Sequence, residues 1–293
     1  MEKDDPPAKA ITLHDRFAGG GHDRRGFINA MMKLVASAAA ARLLAGSVTA
    51  NPAVAAMVAE DDKRLDGRMV HWPGAAGHQL FGYMAIPKKH PRKPAAVLVL
   101  HDSRGLQADM KDVARRLAVA GFIGLALDVL APQGGTPADE ERARQMIGAL
   151  DLAEATADGV ATINWLSRHR LLNGKVGVLG FGWGGTMADR LAVAAGPALS
   201  ACVAYYGPPP PPAEAGKVKA AVMLHDAGTG DGGDAGAAPW SDALRAAGVD
   251  VRHFDYPGTQ HGFDNETLAA RYDGAAAALS WRRTLAFFRE KLA

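Results

Sequence analysis

Between residues 60 and 293, short apolar runs alternate with segments whose apolar positions recur at helical spacing. Residues 69–72 and 79–86 alternate polar with apolar around Pro73-Gly74-Ala75-Ala76-Gly77, the pattern of a half-buried hairpin. Residues 94–101 are almost continuously apolar, as in a central parallel strand covered on both faces. A helix is predicted over 109–120, with Val113, Leu117 and Ala120 on one face and Gly121 as its stop, followed by a strand over 122–129. Thr136, Pro137 and Asp139 read as the N-cap, first position and first-turn acid of another helix, and 152–169 as a longer one. Further strands are expected at 176–179, 199–206, 218–225 and 251–256, and helices at 187–195, 239–247 and 273–292. Such alternation implies one eight-stranded, mostly parallel sheet with helices on both faces. Pro208 to Pro212 cannot pair in a sheet and read as a stiff polyproline II connector.

The stretch from Lys175 to Arg190 organises the rest. An apolar run enters Gly180-Phe181-Gly182-Trp183-Gly184-Gly185 and a helical segment leaves it. Strand, tight glycine turn and helix is the form of a nucleophile elbow, G-x-Nuc-x-G. The central position ordinarily carries a hydroxyl or thiol, yet here it is Gly182.

Composition narrows the setting. The chain has 293 residues and a net charge of +2, which gives no reason to expect nucleic acid as a partner. Cys202 is the single cysteine, so no intrachain disulfide can form. No apolar run reaches the length of a membrane span, so no stable membrane anchor is expected. Residues 1–59 differ from the rest: Arg24-Arg25 precede Phe27, an alanine-rich stretch and an Ala53-Val54-Ala55 cleavage pattern. That order reads as a twin-arginine export leader, engaging the export machinery and placing a monomer or weak oligomer in the periplasm. The competing reading is an N-terminal amphipathic helix of a cytoplasmic protein. Residues 60–293 form the single domain.

Elbow enzymes order nucleophile, acid and histidine along the chain. His261, in the turn Tyr256-Pro-Gly-Thr-Gln-His-Gly-Phe263 after the last strand, is the candidate base. The acid is sought after the strand ending at His225, where Asp226, Asp231 and Asp234 are available and Asp231 is preferred. Backbone N–H groups of Trp183 and Ser103 would form the oxyanion hole, which needs no particular side chain. Asp102 and Arg104 would point into the cleft as substrate contacts, or else pair as a surface salt bridge.

These stretches together resemble the dienelactone hydrolase (carboxymethylenebutenolidase) family of α/β-hydrolases, over roughly residues 68–292. The resemblance implies the α/β-hydrolase fold, no cofactor or metal, and a small ester or lactone as substrate. The family's elbow reads G-F-C-W-G-G where this chain has GFGWGG, and Asp102 matches its acidic residue after the third strand. Counting from Gly182 and His261, Gly230 falls at the triad acid, so Asp231 serves with a one-residue shift. Asn265 stands where dienelactone-cleaving members carry an arginine, which leaves Arg104 as the expected anion contact.

Two functions follow for a chain with Gly182 in that place. One is hydrolysis by a water that His261 activates directly. The other is an inactive relative that binds a small carbonyl compound.

Overall fold

The computed structural model describes residues 57–90, 93–228 and 237–293. The twin-arginine stretch, the cleavage pattern, Gly230, Asp231 and Asp234 lie outside the described residues.

The strands are β1 (Leu65–Pro73), β2 (Gln79–Pro87), β3 (Ala96–Leu100), β4 (Ile123–Leu127), β5 (Val176–Phe181), β6 (Ala201–Tyr205), β7 (Ala221–Ala227) and β8 (Val251–Tyr256). The helices are α1 (Ala108–Val119), α2 (Glu140–Gly148), α3 (Leu152–Ser167), α4 (Trp183–Ala194), α5 (Ala237–Ala246) and α6 (Gly274–Lys291). They build one eight-stranded sheet in the order β1-β2-β4-β3-β5-β6-β7-β8. β1 and β2 pair antiparallel, as do β2 and β4, while every later pairing is parallel. Strand order therefore reverses at β3, whose neighbours are β4 and β5. Chains leaving the carboxyl ends of β3 and β5 diverge there, and that opens a crevice.

The period of two along β3 sorts the core. Ala96, Leu98 and Leu100 face one cluster with Ile163, Leu166 and Leu191, while Val97 and Val99 face the other with Val113, Leu117, Phe287 and Phe288. All five β3 residues are buried, as the unbroken apolar run predicts. Among the described residues no helix is long and apolar enough to cross a membrane.

One local reading needs correction. Thr136 does not cap α2: its hydroxyl donates to Asp128 Oδ1 at 2.9 Å and accepts from Leu106 N at 2.9 Å. Asp139 is the cap instead, its carboxylate accepting from the N–H groups of Glu141 and Arg142. Tertiary partners took the threonine, and the next suitable side chain began the helix. Val58, in the segment expected to link the leader to the domain, packs on the domain. Its N–H donates to Asp112 Oδ1 at 2.8 Å and its carbonyl accepts from Arg115 Nε at 2.7 Å. The prolines behave largely as expected: Pro211 has φ −55° and ψ 139°, and Pro212 then opens a 3-10 turn through Lys217.

Candidate active site

The elbow is built by backbone contacts that exclude side chains. A Cβ on Gly180 would lie 1.9 Å from the carbonyl oxygen of Gly184, and one on Gly184 would lie 2.2 Å from that of Leu100. Glycine at both positions lets α4 pack directly against the ends of β3 and β5. Gly182 has φ 54° and ψ −115°, a region costly for any residue with a side chain. Its N–H donates to Tyr205 O and its carbonyl accepts from Thr186 N, which fixes the turn without side-chain help.

A Cβ built on Gly182 would point at His261, 3.1 Å from Nε2 and 3.5 Å from Cε1, with Asp102 Cβ at 3.8 Å. The point where a nucleophile's side chain would begin therefore lies beside the imidazole. Both residues line a cavity of about 540 Å³, together with Asp102, Ser103, Arg104 and Trp183. Trp183 is the first residue of α4, so its N–H has no acceptor within the helix and sits at the positive end of the dipole. Ser103 follows the carboxyl end of β3 across the crevice, which brings both expected oxyanion donors to one cavity.

His101 braces this loop. Its Nε2 accepts from Val129 N at 3.2 Å, so its Nδ1 carries the proton donated to Asp102 O at 2.8 Å. Burial holds its pKa below the usual histidine value, in keeping with that neutral tautomer.

Arg104 corrects one expectation. It does pair with Asp102, at 2.8 Å from Nη2 to Oδ2, but the pair is not on the surface. Arg104 is 8% exposed, and the same Nη2 also meets Asp109 Oδ2 at 2.5 Å. Burial opposes its charge, and the two carboxylates more than offset this, raising its pKa further above the ordinary value. Its charge is thus already compensated by two carboxylates, although it still lines the cavity. Asn265 serves the same network: its Nδ2 donates to Asp109 Oδ2 at 2.7 Å. Arg144 and Arg271, which the sequence did not single out, are the remaining cations of the cavity wall. Arg144 is shared with Glu140 and Glu141 at the surface, and both arginines are exposed.

Asp226 is engaged by another histidine, its Oδ2 lying 2.5 Å from His253 Nε2. The other two candidate acids, Asp231 and Asp234, lie outside the described residues. Tyr206 was also missed by sequence reasoning. It has φ 38°, rare for a bulky residue, and its ring lies 4.5 Å from that of His261. Its hydroxyl donates to Asp264, whose pKa burial pushes up to about 6 against that hydrogen bond. Backbone strain next to a candidate base is the signature of a position held by its surroundings.

Residues 80–292 match the sequence profile of the Dienelactone hydrolase family. A relative from Escherichia coli K12, named as a hydrolase fragment, is 37% identical over 102 residues, spanning 34% of this chain and 87% of its own. A Bradyrhizobium relative named as a 2-oxo-3-(5-oxofuran-2-ylidene)propanoate lactonase is 29% identical, spanning 74% of this chain and 91% of its own. A dienelactone hydrolase-like promiscuous phosphotriesterase from metagenomic libraries superposes with a TM-score of 0.68 at 25% identity, over 78% of this chain and 100% of its own.

Proposed function

Because the chain belongs to the dienelactone hydrolase family, a family of hydrolases, we propose that it cleaves a small carboxylic ester or lactone without a covalent intermediate. The observation that carries this reading is the 3.1 Å between His261 Nε2 and the point where a Gly182 side chain would begin. A water there sits beside the base and below the N–H groups of Trp183 and Ser103, in a polar site able to hold one. His261 Nε2 takes a proton from that water as its oxygen attacks the acyl carbon. Charge developing on the carbonyl oxygen is met by the two N–H groups. Collapse expels the alcohol oxygen, which recovers the proton from the imidazolium and leaves acid and alcohol, joined in one molecule if the substrate is a lactone. Asp231 orients the imidazole in this reading.

Substrate preference follows from charge. Arg104 is neutralised by Asp102 and Asp109 and Arg144 is shared with Glu140 and Glu141, whereas Arg271 stands on the cavity wall with no ion pair among the described residues. A substrate bearing a carboxylate away from the scissile bond suits that wall. The test is hydrolysis of paired neutral and carboxylate-bearing activated esters and lactones by the wild type, His261→Ala and Arg271→Gln. The proposal expects His261→Ala to abolish turnover, and Arg271→Gln to raise KM for the anionic substrates alone. Tight binding of the anionic esters with no turnover above the His261→Ala background would make the protein an inactive binder instead.

A further inference from the structure

We propose that Asp226, His253 and Asp255 form a binding site for one first-row divalent cation of the zinc class. The sheet itself brings them together. His253 and Asp255 are two residues apart on β8 and so project from the same face. Asp226 on β7 is the register partner of Asp255, and its carboxylate meets the His253 ring. One nitrogen and two oxygens, one from each residue, lie within 4.8 Å of one another.

The distances are close to what an ion requires. Ligand atoms bound tetrahedrally at about 2.0–2.2 Å are separated from each other by roughly 3.3 Å. Here His253 Nε2 stands 2.5 Å from Asp226 Oδ2 and 3.5 Å from Asp255 Oδ1. Seating an ion opens the first pair by less than about 1 Å and draws in Asp255, which the exposed end of a strand permits. The His253–Asp226 hydrogen bond is then exchanged for two bonds to the ion. His253 coordinates through a neutral Nε2, its proton moving to Nδ1 or to solvent.

Burial is graded across the three side chains. Asp226 and His253 are 7% and 12% exposed, whereas Asp255 is 72% exposed. Two fixed ligands face one adaptable ligand, with a solvent side left open for water. The nearby cation Arg245 is held by Asp242 at 2.8 Å, which blunts its repulsion of an incoming ion. One imidazole with two carboxylates suits zinc, cobalt or manganese, and it does not suit calcium, which takes six to eight oxygens. The site joins the edge strand β8 to β7 and lies apart from the Gly182–His261 cavity, none of whose lining residues it shares.

The experiment is calorimetric titration of Zn²⁺ into tag-free, chelator-stripped full-length protein, with Ca²⁺ as a control and Co²⁺ absorption as a second readout. The expected result is one Zn²⁺ per chain with a Kd below about 10 μM, weakened at least tenfold or so in Asp255→Asn and lost in His253→Gln. Asp255→Asn alters an exposed side chain, so its fold is not at risk, and its zinc-free ester hydrolysis should equal wild type. The absence of saturable Zn²⁺ binding by the folded wild type would overturn the proposal. So would equal affinity in wild type, Asp255→Asn and His253→Gln, which would place the ion at other histidines.

Discussion

Restoring a side chain at position 182 is the sharpest trial of the site. In Gly182→Cys the new Cβ would start 3.1 Å from His261 Nε2, so the imidazole has to give by a few tenths of an ångström. The backbone at φ 54° and ψ −115° adds a strain of about 1–3 kcal/mol. For a domain of this size the melting temperature should fall by roughly 2–4 °C per kcal/mol, hence by about 2–12 °C. In return, the imidazole lowers the thiol pKa and supplies thiolate. Loss of a nucleophile elsewhere costs up to about a millionfold while the oxyanion hole alone retains roughly 10³–10⁴, so a gain of at least about a hundredfold is expected. The assay is stopped-flow acylation by an activated ester, read as a burst that one equivalent of a thiol alkylator removes. Cys202 does not confuse the reading, because it is fully buried and burial holds its thiol pKa well above normal. The same burst should vanish in Gly182→Cys/His261→Ala. A folded Gly182→Cys protein with no burst would show that His261 is not placed to act as a base, and the hydrolytic reading would fall with it.

Two further outcomes follow from buried charge. Asp189 is 1% exposed with one hydrogen bond, from Trp240 Nε1 at 3.3 Å, and burial pushes its pKa up to about 7. The native state keeps this proton where the unfolded chain releases it, so this group's contribution to stability should fall as pH rises from about 4 to 7 and then level off, by roughly 4 kcal/mol at most. Asp189→Asn should therefore match wild type near pH 4 and exceed it at pH 8 in urea melts, while Asp264 and the buried neutral His101 and His225 contribute slopes of opposite sign to both proteins alike. A difference between wild type and Asp189→Asn that stays constant from pH 4 to 8 would contradict the assignment. Arg104→Met strands Asp102 and Asp109 with uncompensated charge, and a loss of about 3–5 kcal/mol is expected. Its KM for carboxylate-bearing esters should be unchanged in whatever fraction folds. A KM rise without a stability loss would return Arg104 to the role of anion contact.

The sheet was legible where one pattern suffices. β8 runs from Val251 to Tyr256 as expected, and the all-apolar β3 is central and buried. Legibility failed where a side chain had two suitors, as with Thr136, whose composition says cap and whose tertiary partner is Asp128. The elbow announces itself because its requirement is a backbone requirement, written in glycines. By contrast, the Arg104 network depends on Asn265 meeting Asp109 across 156 residues of chain, and no local signal encodes that. Tyr206 looks like the end of a strand in sequence. Only the fold turns it back to φ 38° and sets its ring against His261. Arg144 and Arg271 belong to surface segments without any motif, and the cavity alone gives them a common place.

An elbow closed entirely by backbone hydrogen bonds around Gly182 has a chemical durability that its thiol-bearing relatives lack. An activated thiolate in an open cleft is also the group that peroxides carry to sulfenic and then irreversible sulfinic acid. Here the cleft presents carbon, nitrogen and oxygen, and the chain's lone sulfhydryl is sealed within β6. Peroxides and thiol-selective alkylating agents that silence a cysteine hydrolase find no thiol in this cleft. What Gly182 gives up in rate it returns as persistence under oxidising conditions.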